Sequence, residues 1–418
     1  MLAKKRLKWS LAAAVDSLIK LLSPLIMNGQ RQMPSGVSND CCSALFLCLD
    51  NLGDAVMATP AIEAYKTKFP RAKLVVMTRP INEAVFVNNP YIDEIVLDDA
   101  PWWSSRPLLN SLRPSYWLAW RSKIKELRKE AFDVVVDFRG DLRHILMFGR
   151  ILHPKMVIGY ARTGGATLLS SCVSYDETSH EIDKKLKLLQ PLGISQFSPR
   201  PRLWLSDDEI LAAQKRIENV LGRKPRPLVL MDPGAKPVQQ WPTDRFADLA
   251  EALRRDFGAQ ILLSSGPPYS HLVKRIVDLT GPHVAKPIGS LDLRSLMATV
   301  ACCDLVISAD TGIVHVASAL EIPAVTLFGP TDPGRFWHGN KHSVIVKSEE
   351  VPCCTTELHE VCTRSRPGEP GVCMSAIATH VVLAAAAGIL YDATSDFSAK
   401  SNLLSSGADK KHTSYSGI

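Results

Sequence analysis

The stretch Ala44-Leu-Phe-Leu-Cys-Leu-Asp-Asn-Leu-Gly-Asp54 decides how the first half of the chain folds. Its residues up to Leu49 form a short, uninterrupted apolar run, which is typical of a strand buried on both faces of a parallel sheet. A helical pattern follows from Ala58 to Phe69. We therefore expect the ordered fold to begin at this strand, with Asp54 where the strand gives way to a helix.

Apolar runs of the same kind recur along the chain and alternate with helical patterns. The predicted strands are 44–49, 73–77, 94–97, 133–137, 228–231, 260–263, 304–308 and 324–328. The predicted helices are 58–69, 121–130, 244–257, 269–279 and 311–320. This alternation predicts an α/β fold with parallel sheets wound on both faces, in which ligands bind beyond the carboxyl ends of the strands.

The length of 418 residues favours two domains. A segment with two prolines and a glycine, 221–227, is the expected linker between a first domain at 44–220 and a second at 228–390. Residues 393–418 are rich in Ser, Lys and Gly, and we predict a disordered tail there.

Residues 1–28 form a predicted basic, amphipathic helix, with leucines at three- or four-residue steps and four cations near its start. Such a helix suits an anionic membrane surface. Docking on its own domain is the alternative.

Composition excludes several classes of protein. With 46% hydrophobic and 22% charged residues, the chain is not disordered, collagen-like or coiled coil as a whole. A net charge of +7 is too modest and scattered to indicate nucleic-acid binding. The ten cysteines are spread out, which favours a reducing cytoplasm. No apolar run is long enough to span a bilayer.

Asp54 is the first candidate for chemistry. A helix N-terminus stabilises negative charge, so a carboxylate there can remain ionised and accept a proton from a hydroxyl. The alternative is that Asp54 only caps the helix.

The turn Met231-Asp-Pro-Gly-Ala235 is the second candidate. Gly234 allows backbone amides to approach a ligand, and Lys236 is near enough in sequence to face phosphates. An ordinary turn after a strand explains the same residues.

The segment Ser308-Ala-Asp-Thr-Gly-Ile-Val-His315 is the third candidate, again where a strand opens a helix. Helix N-terminal amides and the Thr311 hydroxyl suit a diphosphate, and Asp310 and His315 can bind sugar hydroxyls or phosphate. A structural histidine is the alternative for His315.

Four cysteines near the C-terminus, Cys353, Cys354, Cys362 and Cys373, raise the question of a metal site. Their spacing lacks the paired pattern of structural zinc sites, so no metal is predicted.

Together these segments resemble glycosyltransferase family 9, the bacterial lipopolysaccharide heptosyltransferases. The resemblance rests on motifs in the family's order: 49–54 with Thr59-Pro-Ala-Ile62, Asp232-Pro-Gly-Ala235 with Trp241-Pro-Thr-Asp-Arg-Phe246, 310–315, and Leu327-Phe-Gly-Pro-Thr-Asp-Pro333.

The resemblance implies a GT-B fold, in which two Rossmann-like domains face a central cleft. It implies an inverting, metal-independent transfer from ADP-L-glycero-D-manno-heptose to a lipid-linked glycan such as the lipopolysaccharide inner core. It makes Asp54 the general base and Asp310, Thr311 and Gly312 donor contacts. Gln239 stands where relatives place a lysine, and Tyr269 lies near the position of a glutamate associated with the nucleotide.

Arg139, Arg143 and Arg150 fall in the expected acceptor domain. Arginines suit a phosphorylated lipopolysaccharide core, and a solvated basic helix face is the alternative. We expect a cytoplasmic enzyme, which the predicted N-terminal helix would concentrate at the cytoplasmic face of the inner membrane. Transfer of another sugar from a UDP donor, and a nucleotide-sugar-binding protein without turnover, remain the alternative functions.

Overall fold

The computed structural model describes residues 43–99, 112–195, 200–222, 227–353, 362–366 and 368–391. The predicted N-terminal helix at 1–28 and the predicted tail at 393–418 lie outside these ranges. The chain divides into two compact units, one reaching to Trp204 and including 334–336, the other containing the remainder.

The first unit contains a sheet of six parallel strands in the order β3-β2-β1-β4-β5-β6. The strands are β1 (Ala44–Cys48), β2 (Leu74–Thr78), β3 (Glu94–Leu97), β4 (Val134–Asp137), β5 (Met156–Gly159) and β6 (Ser171–Cys172). Every residue of β1 is at most 3% exposed, because neighbouring strands pair with both of its edges. The uninterrupted apolar run of this strand thus matches its central place in the sheet.

Six α-helices accompany this sheet in the described part of the first unit, apart from the short segment 333–336. They are α1 (Leu52–Val56), α2 (Thr59–Lys68), α3 (Glu83–Phe86), α4 (Pro114–Lys129), α5 (Leu142–His144) and α6 (Glu181–Lys187). A π-helical segment, Ile145–Arg150, continues α5. The core below α4 contains Leu45, Leu47, Val75 and Val135.

The second unit repeats the arrangement, with strands in the order β12-β11-β10-β7-β8-β9. They are β7 (Leu228–Asp232), β8 (Gln260–Leu263), β9 (Ala285–Pro287), β10 (Leu305–Ala309), β11 (Ala324–Leu327) and β12 (Val344–Val346). All of their pairings are parallel. The expected parallel, doubly wound α/β sheets are therefore confirmed in both units.

The later helices are α7 (Asp207–Leu221), α8 (Thr243–Phe257), α9 (Ser270–Thr280), α10 (Leu293–Ala301), α11 (Gly312–Ala319), α12 (Pro333–Phe336) and α13 (Val372–Ser375), and residues 379–391 are also helical. Helix α8 buries Phe246, Leu249 and Leu253 on one face and ends at Gly258, whose φ of 63° is a left-handed conformation. Among the helices of the described ranges, none has the length and hydropathy that crossing a bilayer requires.

The observed division differs from the expected linker at 221–227. Helix α7 groups with the second unit, so the boundary falls between Trp204 and Leu205. A bidentate pair explains part of this grouping, because the Arg294 guanidinium on α10 contacts the Glu209 carboxylate on α7 at 2.6 Å. The segment 221–227 therefore joins α7 to β7 within the second unit and does not separate the two units.

Candidate functional site

The candidate residues of each unit gather where the strand order of the sheet reverses. In the first sheet this point lies between β1 and β4, and in the second it lies between β7 and β10. The central strands leave their carboxyl ends side by side there, with Leu47 opposite Asp137 and Ser308 opposite Asp232. Ligands of open α/β sheets bind at such points.

Asp54 lies in a pocket at this edge of the first sheet. The pocket is lined by Leu47, Cys48, Leu49, Asp50, Asp54, Ala55, Ala58, Phe138, Arg139 and Lys185. Asp54 is the third residue of α1, and Asn51 is the N-cap residue of that helix. The Asp54 side chain is 23% exposed, so its carboxylate is accessible to a ligand. Asp54 is therefore not the residue that caps this helix.

Lys185 on α6 supplies a buried cation to the same pocket. Its ammonium lies 3.7 Å from the Asp54 carboxylate, and its side chain is only 6% exposed. Asp54 thus combines a buried cationic partner with access to solvent.

Asp50 and Arg139 form the other charged pair of the pocket. An Arg139 Nη lies 2.5 Å from Asp50 Oδ1. Burial raises the pKa of Asp50 to about 7, the neighbouring Asp54 raises it too, and Arg139 and Lys185 act in the opposite direction. Two carboxylates and two cations therefore line one small pocket.

The other predicted acceptor arginines do not line this pocket, although Arg139 Nε lies 4.0 Å from Asp141, the partner of Arg143. Arg143 forms a two-point pair with Asp141, at 2.9 and 2.5 Å, and its side chain is half exposed. Burial lowers the pKa of Arg150, which ends the π-helical segment. Of the three arginines, Arg139 alone lines the described pocket with Asp54.

In the second unit, Asp232 ends β7 as a buried carboxyl group. Its Oδ1 accepts a hydrogen bond from the Gly234 N–H at 2.8 Å, and its Oδ2 accepts one from the Ser264 hydroxyl at 2.9 Å. Burial raises the pKa of Asp232 to about 7, and these two hydrogen bonds oppose the shift. The group shapes the turn that carries Gly234.

Position 234 has no room for a side chain, so glycine is needed there. A Cβ at this position would meet Asp232 Oδ1 at 2.9 Å and the Tyr269 ring at 3.1 Å. Tyr269 therefore borders the turn. Lys236 is exposed and forms no ion pair with any described residue. Its contact with phosphate stays a prediction.

The remaining predicted donor residues come together at the start of α11. Gln239 is buried, and its Nε2 donates to the Asp310 carbonyl at 3.1 Å. The Thr311 and Ser308 hydroxyls lie 3.4 Å apart, and Ser308 donates to the Asp232 carbonyl. Gly312 opens the helix, whose first N–H groups have no partner within it. These features suit an anion with hydroxyl groups.

His315 faces two side chains from different parts of the second unit. Its Nε2 lies 3.6 Å from Asp310 Oδ1, and its Nδ1 lies 2.8 Å from Nε2 of His338. His315 is therefore placed beside the predicted donor residues, as part of a polar network.

The cysteines do not form a metal centre within the described residues, where no three His, Cys, Asp or Glu side chains are grouped to hold an ion. The Cys373 and Cys353 thiols interact, and burial raises the pKa of Cys373 to about 12. Burial acts to raise the pKa of Cys362, but backbone N–H donors lower it to about 7. Cys354 lies outside the described residues.

Sequence reasoning missed Lys185, Asp50 and His338. Lys185 did carry a signal, since it lies three residues after Ile182 and four before Leu189, in an apolar stripe where a lysine is unusual. Asp50 lies inside a quoted motif but received no role. His338 gave no local signal.

Comparison with known proteins identifies the family of the chain. The family model described as glycosyltransferase family 9 (heptosyltransferase) matches residues 120–365. Lipopolysaccharide heptosyltransferase 3 of Escherichia coli K12 is 24% identical over 339 residues, which cover 73% of this chain and 95% of that protein.

Two solved structures have the same fold. The family 9 glycosyltransferase from Veillonella parvula superposes with a TM-score of 0.70 at 20% identity, covering 86% of this chain and all of that one. The ADP-heptose lipopolysaccharide heptosyltransferase II of E. coli gives a TM-score of 0.68 at 18% identity, covering 84% of this chain and 99% of that one. The fold is GT-B, with two Rossmann-like domains.

Proposed function

The chain belongs to glycosyltransferase family 9, the heptosyltransferase family, and from this membership we propose that it moves heptose from ADP-L-glycero-D-manno-heptose to the lipopolysaccharide inner core or a related lipid-linked glycan. The observation that carries the proposal is the Asp54 carboxylate, accessible in a pocket and paired with the buried Lys185. An inverting transfer needs one such positioned base.

The first unit binds the acceptor in this proposal. Asp54 accepts the proton of the acceptor hydroxyl while the hydroxyl oxygen attacks the anomeric carbon of the donor. The bond from that carbon to the diphosphate oxygen breaks, its electron pair leaves with the diphosphate, and the anomeric centre inverts. Arg139, next to Asp50 in the pocket, is the candidate contact for acceptor phosphate. Arg143 contributes less, because its Nε and one Nη already pair with Asp141 and it does not line this pocket.

The second unit binds the nucleotide sugar. The amides that open α11 at Gly312, with the Thr311 hydroxyl, face the diphosphate, and Lys236 adds an exposed cation beyond the Gly234 turn. Asp310 and His315 contact hydroxyl groups of the sugar. Backbone amides and cations stabilise the charge that develops on the departing diphosphate, so the transfer needs no divalent ion.

Two measurements on the full chain test the function. Calorimetric titration in EDTA with ADP-heptose, ADP, UDP-glucose and UDP identifies the donor. ADP release on addition of a heptose-deficient lipopolysaccharide core measures turnover. We expect Asp54→Asn to bind ADP-heptose as the wild type does and to lose turnover at least about 100-fold. Asp183→Asn, an exposed aspartate on α6, is the matched control.

Each contrary result selects an alternative. Tighter binding of a UDP ligand overturns the heptose assignment and favours a polysaccharide transferase. Donor binding by a wild-type protein that shows no turnover with any acceptor favours a binding protein without catalysis.

We also propose that the enzyme associates with an anionic membrane surface at the cytoplasmic face of the inner membrane. The predicted helix at 1–28 is one contact. A second is formed by α4 and the two residues before it, where Leu112 and Leu118 are 70% and 69% exposed and the cations Arg113, Arg121 and Lys125 lie nearby in the sequence. Only four residues connect α4 to β4, so α4 starts near the carboxyl edge of the sheet, the edge that also carries Asp54.

Sedimentation with vesicles tests this association. Anionic vesicles should retain the wild type and neutral vesicles should not, and deletion of residues 1–28 or the double change Leu112→Glu and Leu118→Glu should weaken retention. Leu279→Glu, at an exposed leucine of the second unit, is the control. Unchanged sedimentation of the deletion protein would exclude the helix as an anchor.

A further inference from the structure

A chain of hydrogen bonds in the second unit runs from a backbone carbonyl to His315. The Ser318 hydroxyl lies 2.6 Å from the carbonyl oxygen of His338. The same hydroxyl lies 3.1 Å from Nδ1 of the His338 ring. The other nitrogen of that ring, Nε2, lies 2.8 Å from Nδ1 of His315. Both rings therefore belong to one network.

The chemistry of these groups fixes the direction of each hydrogen bond. A carbonyl oxygen only accepts, so the single hydrogen of the Ser318 hydroxyl points to the His338 carbonyl. His338 Nδ1 must then be the donor to the Ser318 oxygen. A neutral imidazole with a hydrogen on Nδ1 has an acceptor at Nε2. His315 Nδ1 consequently donates to His338, and a neutral His315 has its lone pair on Nε2.

That lone pair lies next to a second acceptor. His315 Nε2 is 3.6 Å from Asp310 Oδ1, and both side chains are less than 10% exposed. When His315 is neutral, no hydrogen lies between these two acceptors, and they suit a ligand that brings hydroxyl hydrogens. A sugar supplies such groups.

We propose that His338 is a positioning residue of the donor site, which fixes His315 in the Nδ1-protonated form and so presents Nε2, beside Asp310, to hydroxyl groups of the nucleotide sugar. This inference rests on the proposed function for the identity of the ligand. The ring of His338 lies nearly parallel to that of His315, with 4.9 Å between centroids and 23° between planes. His338 therefore restrains the orientation of His315 as well as its tautomer.

Nitrogen chemical shifts of the imidazole rings test the tautomer directly. In full-length protein labelled with ¹⁵N-histidine at pH 8, His315 should show a protonated Nδ1 and an unprotonated Nε2. His338→Leu removes the acceptor and should move the hydrogen to Nε2. His338→Gln supplies an acceptor oxygen and should retain the wild-type pattern. Ser318→Ala frees the His338 tautomer and should give a mixture.

Donor binding supplies the second measurement. The Kd for ADP-heptose should rise about tenfold in His338→Leu and stay within about threefold of wild type in His338→Gln. A wild-type His315 with its hydrogen on Nε2 would overturn the proposal. So would unchanged ring shifts and Kd in His338→Leu. Failure of the wild type to bind any nucleotide sugar refutes the proposed function instead, because the ring shifts report the tautomer without a ligand.

Discussion

The Lys185 ammonium lies 3.7 Å from the Asp54 carboxylate, although the two residues belong to helices at opposite ends of the first unit's sequence. Lys185 is almost fully buried, and Asp54 remains partly exposed. The pair places a fixed positive charge behind a carboxylate whose other side is open to a ligand. In the proposed reaction this arrangement gives the base a buried cationic partner and access to the acceptor.

Removal of this cation should slow the reaction. At 3.7 Å and an effective dielectric of about 20, the attraction is of the order of 4 kcal/mol before solvent screening. We expect Lys185→Gln to lower kcat about tenfold or more and to leave the Kd for the donor unchanged. Lys185→Arg should recover part of the loss. Lys187→Gln on the same helix is the control, since Lys187 contacts Ser174 instead. Equal rates for the Lys185→Gln protein and its control would exclude this role.

Arg139 should affect acceptor binding more than donor binding. Its guanidinium lines the Asp54 pocket, where it contacts Asp50, whereas Arg143 pairs with Asp141 and does not line that pocket. Arg139→Gln should raise the KM for a phosphorylated acceptor about tenfold, and Arg143→Gln should raise it by less than threefold. Steady-state kinetics with phosphorylated and dephosphorylated acceptors measures the difference. The proposal fails if Arg139→Gln raises the KM of both acceptors equally.

The buried carboxyl of Asp232 should make stability depend on pH. Its pKa is raised from 3.8 to about 7, so the folded chain holds this proton more tightly than the unfolded chain. The contribution is complete below about pH 4 and is lost as the pH rises to about 7. The Asn side chain of Asp232→Asn cannot ionise. Between pH 4 and pH 7 the free energy of unfolding should therefore fall less in this variant than in the wild type, and the difference should reach up to about 4 kcal/mol.

Urea unfolding at several pH values between 4 and 8 measures this effect. Asp183→Asn, at an exposed position, should retain the wild-type slope. A slope for Asp232→Asn that equals the wild-type slope would show that Asp232 ionises normally in the folded chain.

Two glycine-to-alanine changes in the second unit should act in opposite directions. A Cβ at Gly234 would lie 2.9 Å from Asp232 Oδ1, so Gly234→Ala should destabilise the unit by about 1–3 kcal/mol and weaken donor binding. Gly388 lies in the helix at 379–391 with no atom within 4 Å of its Cβ position. Gly388→Ala should stabilise the protein by about 0.5–1 kcal/mol. Thermal unfolding compares them, and a stable Gly234→Ala protein with unchanged donor affinity would contradict the first expectation.

The central strands were predictable because they are buried on both faces. Apolar runs over 44–49, 228–231 and 260–263 therefore mark strands without information from the rest of the chain. Strands β6, β9 and β12 were missed, because they lie at sheet edges, have two or three residues and are partly exposed. The interior strand β5 was missed as well. The boundary between the units was placed too late, since the grouping of α7 depends on its distant pair with α10.

The sequence by itself determined the α/β class, the strand-end motifs and the family, because these depend on residue type and on spacing within short segments. Tertiary structure alone decided which side chains meet. Lys185 reaches Asp54, Gln239 holds the Asp310 carbonyl, and His338 holds His315 through the folding of separate segments. A contact between residues far apart in sequence depends on strand order and helix packing, and the local residue pattern predicts neither.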